Sequence, residues 1–350
     1  MKRPARLVAA FLAGLSVHES IVDACTTFCV KVGDTVIFGR NYDFEIGGGA
    51  LIVNPRGLRK TGFLPRGPAW TSSYGSVTFN QFGRDFPMGG MNEKGLVVEL
   101  AWLDVTEYPA PDGRSELGVL EWVQYQLDTA ATVGDVIKSD AQVRIAGIPP
   151  LHYLVSDASG AAATIEFLDG RLAAHTGSSL PIAVLANASY ADSLTYWRRK
   201  GESSLPGGSG SESRFARAAT QVKEMTAAPV ALPAERAFII LANVAQRSTR
   251  WTIVYDQTAR VVHFRTNSHR HVRRLSVGTL ELGCRESSRM LDLDSPVSGD
   301  ISGHLRPYTA TANAELVTKN YRSNSVTRRT SPSEVQAIAE HPNRASCEVP

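Results

Sequence analysis

Two β-rich runs open the ordered part of the chain, CTTFCVKV (25–32) and TVIFGRNYDF (35–44). Gly33-Asp34 between them is a two-residue hairpin signal. A turn that tight sets Val32 opposite Thr35, Thr27 opposite Arg40 and Cys25 opposite Tyr42. Arg40 is then the diagonal neighbour of Cys25, about 7–8 Å away at the backbone and within reach of an arginine side chain. Asp43 has the opposite parity and joins them only if the strand ends or bulges there.

Further strands are predicted at SVTFNQF (76–82) and in MNEKGLVVELAWLD (91–104), where a tight EKG turn precedes a strongly apolar run. Leu117, Leu120, Val123 and Leu127 recur at helical spacing in SELGVLEWVQYQLDTA, a helix opened by Ser115. TVGDVIKSD (132–140) starts a second, short helix. HYLVSDASGAAATIEFLDGRLAAHT (152–176) reads as a meander with reversals at SDASG and LDGR. PIAVLANASY (181–190) is a buried strand running into a loop or helix, and SSLPGGSGSES (203–213) a flexible loop of small residues. RFARAATQVKEMTAA and LPAERAFIILANVAQ read as two helices, and WTIVYDQTARVVHFRTNSH as a hairpin around Asp256-Gln257. Beyond Cys284 the pattern decays into polar sequence, read as a loosely packed extension. Strands, helices and strands again, without βαβ alternation, favour an α+β or sheet-on-sheet fold.

Composition narrows the class. The chain has 350 residues, 43% hydrophobic and 20% charged, with a net charge of only +3. That argues against a nucleic-acid surface as its main business. The N-terminus differs from the rest. Lys2, Arg3 and Arg6 precede the apolar run LVAAFLAGLSV (7–17), too short to span a bilayer, and Val22 and Ala24 stand at −3 and −1 of a cut. Residues 1–24 are therefore predicted to be a removed signal peptide and the mature protein periplasmic or secreted, with no membrane attachment once the signal is gone. A lipoprotein signal also ends at cysteine, but Asp23 at −2 and the early end of the hydrophobic run suit it poorly. Residues 25–284 form the predicted catalytic domain and 285–350 the polar extension.

The four cysteines, Cys25, Cys29, Cys284 and Cys347, allow three pairings in an oxidising compartment. Cys284 and Cys347 can staple the tail, and Cys29 reads as a small buried apolar residue. His269 and His271 in NSHRHVRRL (267–275) lie on one side of a predicted strand, read as a basic solvated edge rather than a metal site. The sequence holds no HExxH, G-x-S-x-G, P-loop or CxxC. Cys25 remains: a disulfide partner, a lipid attachment point, a buried filler or a nucleophile. Freed at the N-terminus, it carries its own base, because an α-amine with a reference pKa of about 7.7–8.0 is partly neutral at working pH. Arg40 would then stabilise the thiolate and Asp43 orient the amine.

CTTF and GRNYDF, followed in order by GGMNEKGLVVELAW, HYLVSDASG, LANASYADS, SESRFARAA and TRWTIVYD, resemble the choloylglycine hydrolase family, the N-terminal-nucleophile hydrolases that include bile salt hydrolases and penicillin V acylases. The resemblance runs from Cys25 to about Arg265. It implies a four-layer αββα sandwich of two antiparallel sheets between helical layers. It also implies processing that frees the cysteine amine and hydrolysis of a linear amide in a small N-acyl substrate, with no cofactor and no metal. By that resemblance Cys25 is the nucleophile, Arg40 its thiolate partner and Asp43 the amine-orienting carboxylate. Asn187 is the side-chain oxyanion donor, Trp102 the backbone N–H donor and Arg214 the second active-site arginine. The chain departs from the family at Ser189, where proline is frequent, and in a shorter segment between Asn187 and Arg214. In bile salt hydrolases that segment carries the assembly loop, which leaves a homo-oligomer open. The tail after 284 has no counterpart there. Export resembles the Gram-negative branch, similar to penicillin V acylases and acyl-homoserine-lactone acylases. A non-catalytic, lipid-anchored binding protein is the rival of another class.

Overall fold

The computed structural model describes residues 25–227 and 233–348. The signal-peptide expectation for residues 1–24 lies outside the described residues. The chain opens with the hairpin of β1 (Thr26–Val32) and β2 (Thr35–Asp43), turned by Gly33 at φ +58°, a conformation that costs glycine little. Then come β3 (Ala50–Asn54), the short ribbon β4 (Leu58–Thr61) and β5 (Ala69–Thr71), and the meander β6 (Ser76–Asn80), β7 (Gly89–Asn92) and β8 (Val97–Trp102). β9 (Ser115–Leu117) precedes helices α1 (Val119–Thr129) and α2 (Val133–Ser139) and pairs in parallel with β10 (Val143–Ile145). A second meander, β11 (Leu151–Ser156), β12 (Ala162–Leu168) and β13 (Arg171–Thr176), leads to β14 (Val184–Leu185) and helices α3 (Tyr190–Lys200), α4 (Ser211–Ala227) and α5 (Pro233–Asn243). β15 (Thr249–Asp256), β16 (Val261–Thr266) and β17 (Arg273–Ser276) follow. The C-terminal part contributes β18 (Arg289–Asp292), β19 (Gly299–Asp300), β20 (Arg306–Pro307), α6 (Ala310–Ser323), α7 (Pro332–Glu340) and β21 (Ser346–Cys347).

Two sheets organise these elements. One has seven strands in the order β14-β1-β2-β15-β16-β17-β19, and the other nine in the order β13-β12-β11-β8-β7-β6-β3-β18-β20. Both are antiparallel except where β19 joins the edge of the first in parallel. α4 packs on β1, α5 on β2 and β15, and α1 on β7 and β8, so helices cover the outer faces. Between the sheets Phe79 of β6 meets the rings of Trp251, Tyr255 and Phe264 at centroid distances of 6.3, 6.3 and 5.3 Å. Burying such rings on both inner faces is what holds a sheet-on-sheet core together. The layers are αββα.

The predicted register holds in the hairpin: Val32 faces Thr35 and Thr27 faces Arg40. Three other expectations change. Ser115 does not open a helix; Ser115–Leu117 pairs with Val143–Ile145, and α1 begins after Gly118. His269 and His271 lie in the loop before β17, not on a strand, and His269 Nε2 donates to the Asp294 carbonyl at 2.6 Å. The polar extension is packed rather than loose. β18 pairs with β3, and Cys284 is disulfide-bonded to Cys347, which brings β21 onto β4. α6 donates from Asn320 Nδ2 to the carbonyls of Gly48 at 3.1 Å and Gln81 at 2.7 Å. Polar side chains with definite backbone partners do the work there that an apolar stripe does elsewhere.

Candidate active site

Cys25 stands immediately before β1, 4% exposed. The side chains of β1 and β2 alternate between the faces of the sheet, so the two faces address different parts of Cys25. On the inner face, Arg40 Nη2 lies 3.9 Å from the thiol sulfur. Arg40 is itself buried, donates to the Met88 carbonyl and pairs with the Glu99 carboxylate of β8 in the opposite sheet. Tyr255 donates its hydroxyl to the same carboxylate. A Cβ on Gly89 would collide with Glu99, so glycine is required where β7 passes the pair.

On the outer face, beneath α4, Arg214 reaches the main chain. Its Nη1 donates to the Cys25 carbonyl at 2.8 Å and to Thr26 Oγ1 at 2.6 Å, and its Nε to the Ser209 carbonyl at 3.0 Å. Asp43, the last residue of β2, has the parity of that face and is 1% exposed. Opposite it the ladder is irregular: Trp251 faces Tyr42 and Thr249 faces Asp43, leaving Arg250 as the extra residue of β15. The bulge brings the Thr249 hydroxyl onto Asp43 Oδ1. The Cys25 thiol contacts the Asp43 carbonyl at 3.9 Å.

Asn187 follows β14 and is held through both its main chain and its side-chain amide. Its N–H donates to Ser211 Oγ at 2.7 Å, its Oδ1 accepts from Arg214 Nη2 at 3.0 Å, and its Nδ2 donates to the Trp102 carbonyl at 3.0 Å. A guanidinium only donates, so the amide orientation is set by chemistry. Trp102 closes β8. Leu103 N–H donates to the Pro150 carbonyl at 3.1 Å on the β11 side. Because bonding direction alternates along an antiparallel strand, Trp102 turns its N–H and C=O the other way, past the start of β7, where Asn187 sits. The indole is half-buried and donates to Asp104 Oδ1 at 2.6 Å.

Burial governs the electrostatics. It pushes the Cys25 thiol above its ordinary value of 9.0; Arg40 pulls the other way and the Asp43 charge adds to the rise. Arg40 is also paired with the buried Glu99 carboxylate, a charge that opposes its pull on the sulfur. Burial therefore favours the protonated, neutral form of the sulfur. Burial also pulls Arg214 below the usual arginine range, offset by the charges of Asp43 and Cys25. Cys29 is buried and free, and burial holds it up at about 12.

The structure thus gathers Cys25, Arg40, Asp43, Trp102, Asn187 and Arg214 around one point where β1, β2, β8 and α4 meet. Sequence reasoning missed Glu99, Ser211 and Thr249. Glu99 left a signal, because a carboxylate inside the apolar run VVELAW needs a buried partner. Ser211 and Thr249 left none.

Residues 25–290 match the profile of linear amide C–N hydrolases, choloylglycine hydrolase family. A penicillin V acylase of Pectobacterium atrosepticum is 28% identical over 356 aligned residues, which cover 85% of this chain and 93% of that protein. The structure of penicillin V acylase from Agrobacterium tumefaciens superposes with a TM-score of 0.72 at 28% identity, covering 81% of this chain and 98% of the other. A variant of conjugated bile acid hydrolase from Clostridium perfringens shares the fold, with a TM-score of 0.64 at 19% identity over 77% of this chain and 96% of its own. This chain belongs to the choloylglycine hydrolase family and is a hydrolase of linear amide C–N bonds.

Proposed function

We propose that the protein is an exported cysteine amidohydrolase of the penicillin V acylase type, with Cys25 as nucleophile after removal of residues 1–24. One observation carries this reading. Arg214 is bonded at once to the Cys25 carbonyl and to Asn187 Oδ1, and Asn187 in turn to the Trp102 carbonyl, so nucleophile and oxyanion donors belong to one bonded chain. The amine of a freed Cys25 takes the thiol proton as sulfur attacks the amide carbonyl. The oxyanion is received by Asn187 Nδ2 and the Trp102 N–H. The amine then passes the proton to the leaving nitrogen, and water hydrolyses the acyl-thioester. Asp43 orients the amine, and Arg40 supports the sulfur as charge develops on it.

The bond between Cys284 and Cys347 supports export, because disulfides persist in oxidising compartments. An N-acyl amide of the penicillin V kind ranks first as substrate, since two of the similar proteins are penicillin V acylases and the half-buried Trp102 suits an apolar or aromatic acyl group. Conjugated bile salts and acyl-homoserine lactones are the other acyl amides to be assayed. Intact mass and a three-substrate assay test the reading together. The expected result is a chain beginning at an unmodified Cys25 that hydrolyses penicillin V, with Cys25→Ala inactive yet folded. A diacylated or oxidised Cys25, or wild-type turnover in the alanine variant, overturns it.

A further inference from the structure

The inner face of the nine-stranded sheet carries two buried titratable side chains that the chemistry above does not use, His152 on β11 and Glu166 on β12, both 0% exposed. His152 pairs with Ala101, the neighbour of Trp102. Its Nε2 lies 2.7 Å from the carbonyl oxygen of Ala186, the residue before Asn187. Its Nδ1 lies 3.1 Å from Glu166 Oε1. That same oxygen accepts the N–H of Tyr190, the first residue of α3, at 2.9 Å. The turn from Ala186 to Tyr190 is therefore held at both ends by one pair of side chains, with Asn187 between the two attachments.

Counting protons sharpens the arrangement. A carbonyl can only accept, so Nε2 carries a hydrogen. Nδ1 and Oε1 then need one proton between them, since two lone pairs facing each other in a dry interior repel. The amide at the start of α3 favours negative charge on the carboxyl group. His175 of β13 adds a ring nitrogen 3.7 Å from Glu166 Oε2. The proton accordingly belongs on the His152 ring.

We infer that His152 and Glu166 form a protonated clamp that positions Asn187 as oxyanion donor. Both are positioning residues, acting through Ala186 and Tyr190. The inference rests on the amide hydrolase reading, so the test separates the two. His152→Phe removes both ring bonds at similar volume. Glu166→Gln keeps one oxygen that accepts from both the Tyr190 N–H and the ring Nδ1–H, but removes the charge that balances the ring. Misplacing a catalytic group by about 1 Å costs about 10²-fold, so His152→Phe should lower kcat by about that factor on the best of the three amides with KM little changed. Glu166→Gln should stay within about tenfold of wild type, and iodoacetamide should alkylate Cys25 at the wild-type rate in both variants. An unaltered kcat in His152→Phe overturns the clamp, as does a fall in alkylation that matches the loss of activity. ¹⁵N-histidine NMR of the wild-type protein, with His152→Phe assigning the signal, requires no substrate. Two protonated ring nitrogens at pH 8 support the clamp, and an Nδ1 bearing a lone pair overturns it. If His152→Phe fails to fold, His152→Gln assigns the signal in its place, and the NMR result alone judges the clamp. A wild-type protein that cleaves none of the three amides sinks the hydrolase reading instead, and the NMR result still judges the clamp.

Discussion

Arg214 Nη1 lies 2.8 Å from the carbonyl oxygen of Cys25, so a guanidinium on α4 fixes the main chain of the residue whose thiol we take as nucleophile. The same side chain also bonds Ser209, Thr26 and Asn187. A lysine ammonium has the charge but not the planar fork that spans these acceptors. Arg214→Lys should lower kcat by about 10²–10³-fold, the cost of losing an aimed oxyanion donor. Steady-state kinetics on penicillin V, with circular dichroism to confirm the fold, measures it. A loss below tenfold would mean that Arg214 serves the fold more than the site.

Glu99 is the buried counter-ion of Arg40, whose Nη2 lies 3.9 Å from the Cys25 sulfur. The Cys25 thiol titrates above 9.0 in the folded protein, so it is neutral at lower pH and becomes thiolate only as pH rises beyond that value. Glu99→Gln releases Arg40 to act on the sulfur, and an unopposed neighbouring cation lowers an acid by about 1–3 pH units. The rate of alkylation by iodoacetamide against pH should shift to lower pH in the variant. A profile that superposes on that of wild type would assign Glu99 no electrostatic role.

Cys29 provides a stability test with a definite sign. Its folded value of about 12 exceeds the ordinary 9.0, so the folded state keeps a proton that the unfolded chain loses. Below pH 9 this costs nothing, and between 9 and about 12 stability falls as pH rises. At pH 10 the effect is about 1 kcal/mol. Urea unfolding at pH 8 and pH 10 should show a smaller decline for Cys29→Ala than for wild type. Equal declines would disprove the assignment.

The Cys284–Cys347 bond closes a sequence separation of 63 residues. Chain entropy for such a loop is worth up to about 4 kcal/mol. Cys347→Ser should destabilise by about 2–4 kcal/mol while leaving kcat at 25 °C within about twofold, because β21 and β4 form with β5 a small sheet separate from the one that carries β1 and β2. Calorimetry and the amide assay check the two halves separately. A large loss of kcat in a folded variant would tie the staple to the site.

The hairpin was legible because a two-residue turn leaves a single register, and Thr27 opposite Arg40 followed from Gly33-Asp34 alone. The parity of Asp43 looked like an obstacle from sequence. In the structure it is the arrangement itself: Arg40 meets the sulfur from the inner face, while Asp43 and Arg214 share the outer face with the main chain of Cys25. The bulge at Arg250 was invisible from β2, since it belongs to a strand more than two hundred residues later. Ser115 misled because a three-residue strand with a partner at Val143 carries no periodic signal. The extension misled for another reason. Among its buried α6 positions, two of three are asparagines, Asn313 and Asn320, which bond Arg84 and Gln81 more than two hundred residues earlier, so composition made a packed helix look like a tail.

Asn320 also bears on when the protein becomes competent. Gln81, whose carbonyl Asn320 holds, accepts the Tyr42 hydroxyl at 2.5 Å and donates to the carbonyls of Ile46 and Gly48, the loop that leaves Asp43. The hairpin bearing Cys25 is translated more than two hundred residues before the helix that braces the loop beside it. Ribosomal synthesis thus delivers the hairpin well before the helix that braces it, so a nascent chain lacks the complete surroundings of Asp43 until α6 has docked.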